Sequence, residues 1–186
     1  AKVKSIVSSN GLSGTMIAKK YKISQSSTDF ETSLNDNNID AFIITTRHNL
    51  HSDQILKALK FNKHVFVEKP LALTISEIEE IEEVFKDSKK LLTVGFNRRF
   101  SPFSILAKNE IGDVNNPINV IINVNAGFID QDHWTQDLEV GGGRVVGEAC
   151  HFIDLISFFT SSKVKSVLMN SMGKNPSIST DNVSIL

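Results

Sequence analysis

Cysteine is nearly absent. The 186 residues hold one, Cys150, which excludes an internal disulfide framework and suits a reducing, cytoplasmic compartment. Charge of one sign is lacking too. Twenty Lys and Arg against 21 Asp and Glu leave a formal charge of −1, so nothing electrostatic points to nucleic acid or an anionic membrane. No apolar run approaches the ~20 residues of a spanning helix. No basic and apolar leader opens the chain, and repeats and low-complexity segments are missing as well. What is present is a hydrophobic share of 40% with 22% charged residues, the composition of a soluble globular protein. This length makes one ordinary domain or parts of two. With no initiating methionine and a strand-like run within three residues of Ala1, the chain reads as a piece of a longer protein.

Strand and helix patterns alternate through the first half. Val3 to Ser8 reads as a strand, and Ser13 to Tyr21 as a helix with Met16, Ile17 and Ala18 toward a core. Asp29 can cap a short helix through Leu34, and Asn35 to Asn38 is a polar turn. Ala41 to Thr45 is the nearly continuous apolar run expected of a strand covered on both faces. Asn49 or Ser52 can start the next helix, with Ile55, Leu56 and Leu59 on one side. After the strand Val65–Val67, Thr74 and Glu77 form a capping-box pattern, with Ile78, Ile81 and Phe85 on one face of the helix behind it. Leu91 to Phe96 is a further strand. Repeated βα units imply a parallel sheet with right-handed crossovers.

The second half changes character. Ile118 to Asn125 and Lys163 to Met172 alternate like half-exposed strands, with Asp181 to Leu186 a third. A helix from about Gly147 to Phe159 lies between them, as in a sheet covered by helix on one face. The boundary between the halves falls near Asn97.

Two stretches carry chemistry. Glu68-Lys69-Pro70 closes the run His64 to Val67, and open α/β sheets place ligands at the carboxyl ends of their strands. The proline restricts the lysine's backbone and can force a tight turn, cis or trans. Some eighty residues later, Gly141-Gly142-Gly143 leads into a helix with His151 and Asp154, where backbone can approach a ligand and a second group titrates. Lysine and histidine together make a plausible proton-transfer pair. A desolvated lysine gives up its proton more readily. Either residue can equally be an ordinary lysine at a strand end or a satisfied core histidine.

Three segments in order resemble the Gfo/Idh/MocA family of nicotinamide-dependent sugar and polyol oxidoreductases. They are Val65-Phe66-Val67-Glu68-Lys69-Pro70-Leu71-Ala72, then Val94-Gly95-Phe96-Asn97-Arg98-Arg99-Phe100-Ser101-Pro102, then Gly141-Gly142-Gly143 through His151-Phe152-Ile153-Asp154. The likeness runs from about Val3 to at least Phe159. It implies α/β architecture: a partial NAD(P)-binding Rossmann domain over 1–97, then a partial α+β substrate domain with a mainly antiparallel open sheet over 98–186. It implies hydride transfer between NAD(P) and a sugar or polyol carbon, and a homo-oligomer built through the second sheet. An inactive binding or assembly module derived from the family is the alternative. The family's opening strand and glycine-rich loop are not supplied before Lys2, so this chain alone is expected to bind dinucleotide poorly. Many members also carry an aspartate four residues before the histidine. Here that position is Gly147, with Glu148 the nearest acid, a version similar to relatives fused behind a zinc-type alcohol dehydrogenase half.

The resemblance assigns Lys69 and His151 to catalysis. It puts Thr45, Thr46, His51, Glu68, Lys69 and Pro70 near the cofactor, with contact through Thr46 backbone and the His51 side chain. Ser8 and Asn10 follow what would be the second Rossmann strand. An acid there holds the ribose of NAD, and the small polar Ser8-Ser9-Asn10 instead leave room for a 2′-phosphate, which favours NADP. Asn97, Arg98, Trp134, His151 and Asp154 are the expected substrate contacts. Trp134 can stack on a sugar or anchor its loop, Asp154 can orient His151 or sit exposed, and one of Arg98 and Arg99 forms a salt bridge. His48 and His51 lack a third ligand at metal spacing, so no metal is expected. Cys150 faces away from His151 on the helix, which disfavours a Cys–His nucleophile.

Overall fold

The computed structural model describes residues 2–113, 117–172 and 181–186. Helices return each early strand to the same direction, so the sheets are parallel. β1 (Ser5–Val7) is followed by α1 (Gly11–Lys20) and pairs with β2 (Gln25–Ser27). After α2 (Phe30–Leu34), strands β3 (Ala41–Ile44), β4 (His64–Val67) and β5 (Leu92–Val94) form a second parallel sheet in that order. The crossovers are α3 (His51–Lys60) and α4 (Ile75–Lys86).

Register decides which side chains meet the helices. Phe42, Val65 and Leu92 stand abreast, as do Ile44, Val67 and Val94. This face packs with Ile55, Leu56 and Leu59 of α3 and Ile81 of α4 into one core. Each fully buried aliphatic side chain there contributes roughly 1.5–3 kcal/mol. The other face, with Ile43 and Phe66 abreast, stays open, Ile43 being 69% exposed. The expectation that Ala41–Thr45 is covered on both faces is therefore corrected, because among the described residues α3 and α4 join a core on one side only. In α1 the inward residues are Gly14 and Ala18, while Met16 and Ile17 are exposed. Helix and strands come too close for the larger side chains: a Cβ at Gly14 would lie 3.2 Å from Ser8 Cβ. The capping box at Thr74 and Glu77 forms as read, and Asp29 caps α2 through the Thr32 amide. In α4, Ile81 is buried, whereas Ile78 and Phe85 remain partly exposed.

Beyond Asn97 come a 3₁₀ turn (Asn97–Phe100), α5 (Pro102–Ile111), a π turn (Val145–Ala149) and α6 (Cys150–Thr160). The antiparallel pair β6 (Met169–Ser171) and β7 (Val183–Ile185) closes the described chain. The strands expected at Lys163–Met172 and Asp181–Leu186 shrink to this pair. Ile118 to Asn125 forms no strand at all. Alternation there is real, but a strand also needs a neighbour for its backbone groups, and no described segment pairs with it. Among the described residues no helix is long and apolar enough to cross a membrane.

Candidate functional site

The carboxyl ends of β3, β4 and β5 lie side by side, which brings Thr45 and Thr46, Glu68 and Lys69, and Gly95 and Phe96 to one rim. Glu68 bends over Gly95, where an added Cβ would stand 3.2 Å from Glu68 Oε2. The Lys69–Pro70 peptide is cis. Thr45 and Thr46 are exposed, and Thr46 Oγ1 donates to Gln54 Oε1 at 2.9 Å.

Lys69 reaches from this rim into the second half. Its side chain is 16% exposed, and Nζ donates to Gly147 O at 2.7 Å and to Glu148 Oε1 at 2.9 Å. Three residues beyond Glu148, His151 is buried, and its Nδ1 has no hydrogen-bond partner among the described residues. Burial pushes the His151 pKa down, and the charges of Lys69 and Arg98 act the same way against the opposing pull of Glu148 and Glu68. The imidazole is therefore held neutral at neutral pH. For Glu148, burial raises the carboxyl pKa, but the Lys69 hydrogen bond and charge, with His151 and Arg98, prevail and keep it low. Burial raises the Cys150 thiol above its ordinary range, which keeps it protonated and a poor nucleophile.

The glycine run is the platform for this arrangement. A Cβ at Gly141 would come within 2.4 Å of Thr135 Cα, and Gly142 and Gly143 both adopt φ of +73°. Only glycine tolerates that approach and that backbone. From the turn after β3, His48 Nδ1 meets Gly141 O at 2.7 Å and the Asn49 amide donates to Val140 O at 3.1 Å. The His48 ring stands edge-on to Trp134 at 4.9 Å. Burial is also the main cause that lowers the His48 pKa.

Several expected contacts turn out otherwise. His51 is fully buried, with Nδ1 2.7 Å from Pro70 O and Nε2 3.2 Å from Thr46 O. Its ring has no surface to offer a cofactor, and its single N–H donates to one of these two backbone carbonyls. Asp154 does not bond His151; its carboxylate pairs with Arg99. Arg99 Nε donates to its Oδ2 at 2.9 Å and Arg99 Nη2 to its Oδ1, and the Asp154 side chain is 9% exposed. Trp134 is half-buried between His48 and Arg47, whose guanidinium lies 5.6 Å over the ring, which packs its loop against the turn after β3. A depression of about 790 Å³, lined by Arg47, Asp132, His133, Trp134, Gln136 and Asp137, lies beside it and does not include Lys69 or His151. Arg98 is exposed over the Phe152 ring at 4.6 Å, and Asn97 is exposed where the 3₁₀ turn begins. The Asn10 side chain caps α1 by accepting from the Leu12 and Ser13 amides, and Ser8 Oγ lies 3.3 Å from Ser13 Oγ. Glu148 was absent from the expected set; its place three residues before His151, on the same helical side, was the available signal. Among the described residues no group of three or more His, Cys, Asp or Glu is placed to hold a metal.

The rim thus holds a buried imidazole with an unpartnered nitrogen, the Lys69 ammonium bonded to the π turn before it, and exposed threonines at adjoining strand ends. Comparison with known proteins gives the family. The model of the Gfo/Idh/MocA oxidoreductase family, described as having an NAD-binding Rossmann fold, matches residues 1–96. The chain is 33% identical over 156 residues to scyllo-inositol 2-dehydrogenase (NAD(+)) of Bacillus subtilis, covering 81% of this chain and 44% of that protein. It is 36% identical over 95 residues to inositol 2-dehydrogenase of Salmonella typhimurium, covering 50% and 28%. Among solved structures, apo scyllo-inositol dehydrogenase from Lactobacillus casei superposes with a TM-score of 0.71 at 26% identity, over 94% of this chain and 51% of that one. Levoglucosan dehydrogenase in complex with NADH and levoglucosan superposes at 0.76 with 24% identity, over 94% and 49%, a likeness of fold. The chain spans less than half the length of these two curated relatives.

Proposed function

Because the chain belongs to the Gfo/Idh/MocA family of oxidoreductases, we propose that the whole protein is an NAD(P)-dependent dehydrogenase of a sugar or polyol, with Lys69 and His151 handling the hydroxyl proton. The nicotinamide, when bound, supplies the hydride chemistry. Thr45, Thr46, Glu68 and Lys69 would lie along it, within a cofactor-binding part of about 1–97. Asn97 and Arg98 would meet the substrate with His151 from 98–186. The family description names NAD, whereas the small polar residues after β1 leave room for NADP, so both forms are proposed as candidates.

The observation that carries this reading is the junction of the halves. Lys69 is bonded to the π turn next to a buried, neutral His151 whose Nδ1 has no hydrogen-bond partner among the described residues. A neutral imidazole can accept the proton that leaves a hydroxyl, and an adjacent ammonium polarises that oxygen and steadies the charge developing on it. In the full-length protein, Lys69→Met is expected to lower turnover with inositols and related polyols by ~100-fold or more, with cofactor affinity retained. Turnover near the wild-type value would remove Lys69 from the chemistry.

A further inference from the structure

We propose that Glu148 is the positioning residue of this site: it clamps the Lys69 ammonium so that one N–H is left for the substrate oxygen, and it holds a negative charge beside His151. The inference rests on the dehydrogenase reading for its consequence in turnover, and on geometry alone for the clamp.

An ammonium has three hydrogens to donate. Gly147 O and Glu148 Oε1 take two of them, at 2.7 and 2.9 Å, and the third remains. Charge-assisted bonds of this kind are roughly twice as strong as neutral ones. On a side chain only 16% exposed, they restrict where that last hydrogen can point. Lysine otherwise carries a long, mobile stem, so a fixed acceptor pair is what turns it into an aimed donor.

Neighbouring positions show why the carboxylate stands at 148. A Cβ at Gly147 would lie 3.1 Å from His48 Cε1, inside a buried contact, so a side chain at that position meets the His48 ring. The π turn Val145–Ala149 contains both Gly147 and Glu148 and runs straight into α6, which carries His151. π turns are rare and gather at functional sites. Here one such turn offers a backbone carbonyl and the next residue's carboxylate to the same ammonium. The groups acting on His151 are Lys69 and Arg98, which disfavour its protonation, and Glu148 and Glu68, which favour it. Neutralising Glu148 therefore moves the His151 midpoint down.

The test uses full-length protein with ¹³C-labelled histidine, first without cofactor. In Glu148→Gln the His151 titration midpoint is expected to fall, whereas Glu148→Asp, which keeps the charge on a shorter stem, leaves it near wild type. With cofactor and polyol, Glu148→Gln is expected to lose about 10- to 100-fold in turnover, the scale of a small misplacement of a reacting group, with Glu148→Asp between it and wild type. The acid limb of its kcat/KM profile should move to lower pH together with the imidazole midpoint. A purely structural glutamate would lower the melting temperature without moving either. Wild-type midpoint and turnover in Glu148→Gln would overturn the proposal. Should Glu148→Gln not fold, a Glu148→Asp protein with wild-type turnover would overturn it instead. A wild-type protein inert toward every sugar and polyol, with the His151 shift intact, would sink the dehydrogenase reading and leave the clamp standing.

Discussion

Two backbone carbonyls, those of Thr46 and Pro70, face the same imidazole ring. His51 lies 3.2 Å from one and 2.7 Å from the other and is fully buried. A buried acceptor that loses its donor costs about 1–3 kcal/mol. His51→Leu is therefore expected to lower unfolding free energy by about that amount in urea titrations. Because Pro70 is bonded to Lys69, turnover of the full-length protein should fall as well. Unchanged stability would mean that the carbonyl bonded by the ring N–H finds another donor. The sequence placed His51 just beyond β3, at the carboxyl end of the strand, but could not say which way the ring turns. The 3₁₀ turn His48–Leu50 sets the phase of α3 and directs the ring inward. Asp154 teaches the same lesson, since the arginine that binds it is 55 positions away in the chain.

Elements become a site here through a strap. The turn after β3 grips the glycine run by way of His48 and Asn49, and the run leads through the π turn to His151. Gly141 lies where this strap is tightest. Its Cβ would meet Thr135 Cα at 2.4 Å and Trp134 O at 2.6 Å, backbone atoms that cannot swing aside. Gly141→Ala is expected to destabilise by about 1–3 kcal/mol, the usual cost of overpacking, measured as a lowered melting temperature. A wild-type melting temperature would show that the 133–141 loop shifts freely. Elements with a local cause were legible: the Thr74–Glu77 box, the Asp29 cap and the Ile55-Leu56-Leu59 stripe all form as read. Ile118–Asn125 was not, because alternation marks which side chains could be buried, whereas strand pairing depends on a distant partner.

For the molecule as a whole, burial of two histidines sets a pH dependence. His48 and His151 both titrate below the ordinary value of 6.5, burial being the first cause in each. On the acid side of that value the unfolded chain binds protons that the folded chain resists, so stability is full above about pH 6.5 and falls as pH drops below it. Melting temperatures should decline from pH 7 to 5, and His48→Gln should flatten part of that slope. A flat profile in the wild type would show that neither ring is held neutral.

Much of this protein was settled by its amino acids in order. Repeated apolar runs and helix patterns specify a parallel α/β first half, and the three motif segments carry the family, because turn chemistry, capping and periodicity act over a few residues. The lysine–histidine pairing was legible only as two residues of suitable chemistry. That Lys69 bonds to Gly147 and Glu148, 78 and 79 positions onward, that His51 is buried against backbone carbonyls and Asp154 against Arg99, and that Trp134 packs against His48 and Arg47 were decided by tertiary structure. Those outcomes depend on which buried polar groups find partners when distant segments pack, and no local pattern encodes that competition.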